Sequence, residues 1–186
     1  MEKTRHPEIV RYAKLEEIIS GYQDRPILSA RLEVKTSEDE ENSTAAILSE
    51  LENSINFSEK DKYAAERVIF EAVQNIAKHC CGESDVKIYA SPETKKFISF
   101  FELSEDAQFG KEGHSRYQQM LDRAYKRILS PNYSQELMDF ITNGETGTLE
   151  GFHLGTMIIL LTPEVSKIGI ADINSRAYFF FEYHLP

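Results

Sequence analysis

The stretch of residues 58–81, SEKDKYAAERVIFEAVQNIAKHCC, constrains the fold more than any other part of the chain. Ser58 can cap a first helical turn, and Asp61 stands three residues later, which is the spacing of a capping box. Apolar residues then recur at intervals of three and four, as they do on one face of a helix: Ala65, Val68, Ile69, Ala72 and Ile76. The sequence therefore predicts a capped helix here, with one face in the core.

A polar stripe adjoins this apolar face, because Glu71, Asn75, Lys78 and His79 recur at the same intervals. Glu71 is a candidate general base, and Asn75, one turn later, is a candidate oxygen ligand for magnesium. The same spacing is also typical of an ordinary solvated helix face. Lys78 and His79 would in addition interact favourably with the helix dipole near its C-terminal end. Spacing alone leaves both interpretations open.

Other parts of the chain have the patterns of strands or of shorter helices. Strands are predicted at residues 27–34 and in two hairpins, 86–90 with 96–103 and 167–172 with 177–183. Further helices are predicted at residues 8–20, 43–55, 117–128, 137–141 and 156–161. The helix near the N-terminus would serve packing or homodimer formation, and the acidic residues 38–41 would form a solvated turn.

This order of elements predicts the fold class. Helices and paired strands are segregated, which is typical of an α+β two-layer sandwich with helices on one face of a mixed, mostly antiparallel sheet. We expect a single domain over residues 1–186, because its length suits one hydrophobic core. An N-terminal helix would occupy residues 1–22, and a helical insert would occupy residues 113–143.

Composition narrows the classes of partner. The chain has 31 acidic and 21 basic residues and a net charge of -10, which argues against broad binding to nucleic acid or anionic lipid. The adjacent Cys80 and Cys81 indicate neither a disulfide framework nor a zinc site. The apolar runs are shorter than the roughly 20 residues of a membrane span, and the first residues lack a signal-peptide core. We therefore expect a cytoplasmic protein with a protein or small-molecule partner.

A glycine-bearing loop, NGETGTLEGFHLG, precedes the last predicted helix. Gly151 and Gly155 lie just before the apolar run that begins at Thr156. Glycine-rich turns at helix N-termini expose backbone N–H groups that suit phosphate. These glycines are equally well explained as ordinary loop and helix-entry residues.

Three sequence blocks resemble a known superfamily. FEAVQNIAKHC, which begins at Phe70, resembles the N-box of the histidine-kinase-type (GHKL) ATPase superfamily. GFHLGTMI, which begins at Gly151, resembles its later box, commonly G-x-G-L-G-L-x-I, and the closing AYFFFEYHLP resembles its last strand. The blocks come in the family's order, and the chain is most similar to the SiaB-type protein kinase group among the anti-sigma serine kinases.

This resemblance implies ATP-dependent phosphorylation of serine or threonine on a small anti-anti-sigma-like partner, with partner switching as the form of regulation. It implies Glu71 as the catalytic residue, Asn75 as the magnesium ligand, and ATP and Mg²⁺ as cofactors. It also implies nucleotide-binding roles for Lys78, His79, Asp106, Gly110, Gly151, Gly155 and Thr156. The helical insert at residues 113–143 would be lid-like.

The chain departs from the family pattern in two places. The box that holds adenine is normally Asp-x-Gly-x-Gly, whereas FELSEDAQFGKEG has Asp106 and Gly110 at a different spacing. His153 replaces the second glycine of the later box, which adds bulk where the backbone approaches phosphate. These departures indicate an alternative, in which the chain is a degenerate, non-catalytic member of the fold that acts as a protein-binding module.

Overall fold

The computed structural model describes residues 6–103, 115–130 and 154–185. Within these ranges the strands are β1 (Glu8–Lys14), β2 (Leu28–Glu33), β3 (Glu83–Ser91), β4 (Lys96–Glu102), β5 (Val165–Ile173) and β6 (Arg176–His184). The helices are α1 (Leu15–Ile18), α2 (Ser37–Ser54), α3 (Glu59–His79), α4 (Ser115–Ile128) and α5 (Leu154–Leu161). None of these helices combines the length and the apolar character that a membrane span requires.

The six strands form one open sheet in the order β1-β5-β6-β4-β3-β2. The pair β1–β5 is parallel and the other four pairs are antiparallel. The predicted mixed, mostly antiparallel sheet of an α+β sandwich is therefore confirmed. Both predicted hairpins are also present, and the β5–β6 turn has positive φ at Asn174 (55°) and Ser175 (64°), as expected of a tight hairpin turn.

The four longer helices share a hydrophobic core with one face of the sheet. α3 belongs to this core, and its inward face is buried as the periodicity predicts: Ala65, Val68, Ile69, Ala72 and Ile76. Ser58 caps α3 and accepts a hydrogen bond from the Asp61 N–H, which confirms the predicted capping box. Because this face of α3 is buried, Glu71 and Asn75 lie at the edge of the core.

The opposite face of the sheet carries a second, smaller cluster of buried side chains. Ile98 and Phe100 of β4 and Phe180 of β6 are fully buried there, and Ile18 of α1 packs on the same cluster. Because β4 and β6 are covered on both faces, their sequences are nearly continuous apolar runs and lack the alternation of a half-exposed strand.

The prediction of an N-terminal helix over residues 1–22 is wrong for residues 8–14, which form β1. Val10 pairs with Gly169 of β5, and a Cβ atom on Gly169 would collide with the Val10 carbonyl oxygen. β1 therefore adds to the sheet at a point where glycine permits the close approach. Among residues 6–22, which the structure describes, only the single turn α1 is α-helical.

The prediction for the start of α2 is also wrong. α2 begins at Ser37, so the acidic residues 38–41 belong to its first turns and do not form a loop. Thr36 is the N-cap: its hydroxyl accepts a hydrogen bond from the Asp39 N–H, and the Asp39 carboxylate accepts one from the Thr36 N–H. Acidic side chains are favourable at this end of a helix because of its dipole.

α4 confirms the first helix predicted in the insert at residues 113–143. The predicted helix at residues 137–141 lies outside the described residues, as does most of the glycine-bearing loop.

Candidate functional site

The first turn of α5 lies against the edge of α3 that carries Glu71 and Asn75. The Glu71 Oε2 atom lies 2.6 Å from the position that a Cβ atom would occupy on Gly155, and the Asn75 Oδ1 atom lies 3.8 Å from it. Because Gly155 has no side chain, the carboxylate of Glu71 and the amide of Asn75 can lie close to its backbone. The structure brings together three residues that the sequence predicted for one site.

α3 positions Glu71 and Asn75 through the buried residues beside them. Ala72 and Ile76 follow them directly in sequence and are 1% exposed, which fixes the rotation of the helix about its axis. Glu71 and Asn75 are half-buried and lie one helical turn apart, on the same edge of α3. The two side chains therefore point to the same place, as the periodicity predicts.

α5 is held by its own apolar residues, and Met157, Ile159 and Leu160 are buried in the main core. The backbone N–H groups in the first turn of any helix lack intrahelical partners, and that end of the helix carries partial positive charge. Thr156 follows Gly155 and is 2% exposed. A carboxylate and an amide therefore face a helix terminus that favours anions.

The Asn75 side chain carries a buried group with unused hydrogen-bonding capacity. Its Nδ2 atom is buried and has no hydrogen-bond partner among the residues that the structure describes. Such a donor suits an acceptor oxygen of a ligand, and the Oδ1 atom on the same amide can serve as an oxygen ligand for a hard cation. The N–H donor and the oxygen ligand of this amide together fit a magnesium-bound phosphate group.

Thr156, another predicted site residue, stands beside Gly155 in α5, and the other predicted site residues lie partly or wholly outside the description. Lys78 and His79 belong to the last turn of α3, and their side chains lie outside the description. Asp106, Gly110 and Gly151 lie outside the described ranges altogether. Within those ranges, histidine, cysteine and acidic side chains do not form a group of three that could hold a metal ion.

A second polar cluster, centred on Glu182 of β6, lies far along the chain from every predicted site residue of α3. Glu182 is 3% exposed, and its carboxylate accepts hydrogen bonds from the hydroxyls of Tyr22 (2.7 Å) and Ser166 (2.6 Å). The His184 Nε2 atom lies 3.1 Å from it, and the Lys167 Nζ atom lies 3.8 Å from it. Sequence reasoning missed this cluster, although a single charge in the apolar run AYFFFEY was a signal for it.

The surroundings of Glu182 favour its ionised form. Burial by itself raises the pKa of this carboxyl, but the hydrogen bonds from Ser166 and Tyr22, the contact with His184 and the charge of Lys167 lower the pKa to about 2. Burial and the hydrogen bond to Glu182 raise the pKa of the Tyr22 hydroxyl. The hydrogen bond between Tyr22 and the buried Glu182 carboxylate therefore holds the segment after α1 against the sheet.

Comparison with known proteins gives no relative for this chain: no family model, curated protein or solved structure matches it at a significant level.

Proposed function

We propose that the chain is a cytoplasmic regulatory signalling protein of the histidine-kinase-type ATPase class, which uses ATP and Mg²⁺ to phosphorylate serine or threonine on an anti-anti-sigma-like partner. One observation carries the proposal: Glu71 and Asn75 of α3 converge on Gly155, in the first turn of α5. Sequence resemblance gave these residues their roles, and their proximity supports those roles.

Each residue has a defined part in this proposal. Asn75 would bind magnesium through Oδ1 and orient the phosphates, while the N–H groups of the first turn of α5 would bind a phosphate oxygen. Glu71 would accept the proton that the hydroxyl of the partner loses. Bound magnesium and ATP supply charge neutralisation and the group to be transferred.

Calorimetric titration with magnesium-ATP tests the proposal. We expect binding in the micromolar to millimolar range, and we expect Asn75→Ala to weaken it only when magnesium is present. Glu71→Gln should retain nucleotide binding and lose phosphate transfer to the partner. Retained transfer in Glu71→Gln would show that another group acts as the base.

A second candidate function is a non-catalytic protein-binding module. The observation that favours it is the Glu71 carboxylate itself, which lies against the first turn of α5, where it can interact with the positive end of the dipole without any nucleotide. In that case Glu71→Gln should lower the melting temperature of the protein alone, and magnesium-ATP should give no heat of binding. A melting temperature unchanged by Glu71→Gln would contradict this second candidate.

A further inference from the structure

A groove separates α2 from α3 on the side of the helical layer that faces away from the sheet. It has a volume of about 510 Å³ and is lined by residues of both helices. α2 and α3 are consecutive helices connected by residues 55–58, so they lie side by side in opposite directions. The groove is distinct from the site at Gly155, which involves the edge of α3 next to α5.

Two polar contacts fix the register of these helices. The Lys62 Nζ atom of α3 lies 2.5 Å from the Glu52 Oε1 atom of α2, at one end of the groove. Beyond its other end, Gln74 Nε2 donates a hydrogen bond of 3.0 Å to Glu40 Oε2. The contacts are twelve residues apart on each helix, so the two antiparallel helices keep the same register from one contact to the other.

The groove has an apolar floor and an acidic rim. Leu48, which is 6% exposed, and the half-buried Phe70 form the floor with the small side chain of Ala45. Glu41 and Glu66 are exposed on the rim, on opposite helices. A ligand in this groove would therefore meet apolar surface below and the carboxylates of Glu41 and Glu66 on opposite sides, while Lys62 and Glu52 form an ion pair at one end.

α2 is strongly acidic. The helix has no lysine, arginine or histidine, and its acidic residues are Glu38, Asp39, Glu40, Glu41, Glu50 and Glu52. Those in the first turn complement the helix dipole, but Glu50 and Glu52 lie near the C-terminal end, where negative charge is unfavourable. Lys62 of α3 pairs with Glu52, so the charge that can attract a positive ligand to this groove is that of Glu41 and Glu66 on its rim.

We propose that this groove, which we term the α2–α3 groove, binds a basic amphipathic helix of a partner protein. The stretch of α3 from Lys62 to Phe70 that lines it is about 12 Å long at 1.5 Å per residue. This length matches apolar anchors at positions i, i+3, i+4 and i+7 of a bound helix, whose lysine and arginine side chains would reach the acidic rim. The proposal involves neither Glu71 nor nucleotide, so it can fail or succeed independently of the proposed function.

Fluorescence anisotropy with three labelled 14-residue peptides tests this proposal. All three carry the same helical leucine stripe, and their polar faces consist of lysine, glutamine or glutamate. We expect the lysine peptide to bind at least tenfold more tightly than the glutamine peptide, to weaken as salt is raised, and the glutamate peptide not to bind.

Variants of the full chain locate the binding. Glu41→Lys combined with Glu66→Lys should weaken binding of the lysine peptide at least tenfold, and Ala45→Gln should weaken it by filling the floor with a longer neutral side chain. The matched control is Glu16→Lys with Glu93→Lys, which makes the same change in net charge at exposed positions outside the groove. Circular dichroism confirms that each variant is folded.

Three results would overturn the proposal. Equal binding of the three peptides would exclude charge recognition, and equal weakening by the groove and control variants would indicate attraction to the net charge alone. If sedimentation shows that the protein forms dimers that Ala45→Gln separates, the occupant of the α2–α3 groove is a second copy of this chain.

Discussion

At the scale of single residues, Glu182 shows how a buried charge can be made favourable. Its carboxyl has a pKa of about 2 in the folded chain, against an ordinary value of 4.5. The folded state therefore holds this proton less tightly than the unfolded state does. Its contribution to stability is present above pH 4.5 and is lost as the pH falls from 4.5 towards 2.

Glu182→Gln should remove this dependence on pH. We expect it to lower the free energy of unfolding at pH 7 by about 2 to 3 kcal/mol, because the neutral amide loses charge-assisted hydrogen bonds. Urea unfolding at pH 7, 4.5 and 3 measures the effect, and the loss should shrink as the pH falls. Glu93→Gln, in an exposed turn, serves as the control and should change little. An equal loss at all three pH values would refute this explanation.

Gly155 offers a residue-scale test of the candidate site. In Gly155→Ala the new Cβ atom would lie 2.6 Å from Glu71 Oε2, which is the far end of a flexible side chain and can move. Because alanine also favours the helix, we expect the free energy of unfolding to change by less than about 1 kcal/mol. Nucleotide binding or phosphate transfer should nevertheless be lost, which calorimetry and a phosphorylation assay would detect. Full activity in this variant would argue against the site.

At the scale of elements, the parallel pair β1–β5 depends on Gly169. Gly169→Ala would place a Cβ atom against the Val10 carbonyl oxygen, and backbone cannot move aside as a side chain can. We expect a loss on the order of 3 kcal/mol in the free energy of unfolding, with faster amide hydrogen exchange in β1. Gly155→Ala, the same substitution in α5, is the control. Unchanged exchange in β1 would show that the strand tolerates the methyl group.

The N-cap of α2 permits a second test at this scale. Thr36→Ala removes the acceptor for the Asp39 N–H and should lower the free energy of unfolding by about 1 kcal/mol. Denaturant titration measures this loss, and the neighbouring exposed residue provides the control as Ser37→Ala. If both variants lose the same stability, the hydroxyl of Thr36 has no special role as a cap.

At the scale of the whole molecule, local and distant interactions explain which predictions succeed. α3 is confirmed because its capping box and its apolar period lie within 21 residues. The spacing of Ile9, Tyr12 and Ala13 fits a helix as well as a short strand, and the deciding interaction is pairing with β5 at the other end of the chain. α2 begins at Ser37 and not at residue 43, because Thr36 and Asp39 form a capping box that places the acidic residues in the first turns.

The candidate site divides in the same way. The shared edge of Glu71 and Asn75 follows from helical period alone, whereas the approach of Gly155 depends on how α5 packs against α3. The partners of Glu182 could not be predicted, because Tyr22 contacts it from a point 160 residues away in the sequence. For a long-range contact of this kind, the sequence shows only one unexpected charge in an apolar run and does not identify its partners.

The pairing of β1 with β5 has a consequence for synthesis on the ribosome. Residues 10 and 169 are partners but are 159 positions apart, so at about 5 to 20 residues per second roughly 8 to 30 seconds pass before the second one is made. During that interval residues 8–14 have been synthesised, but β5, the strand with which they pair among the described residues, has not. The charged side chains of Glu8 and Lys14 reduce the risk that this segment pairs with another nascent chain before β5 is made.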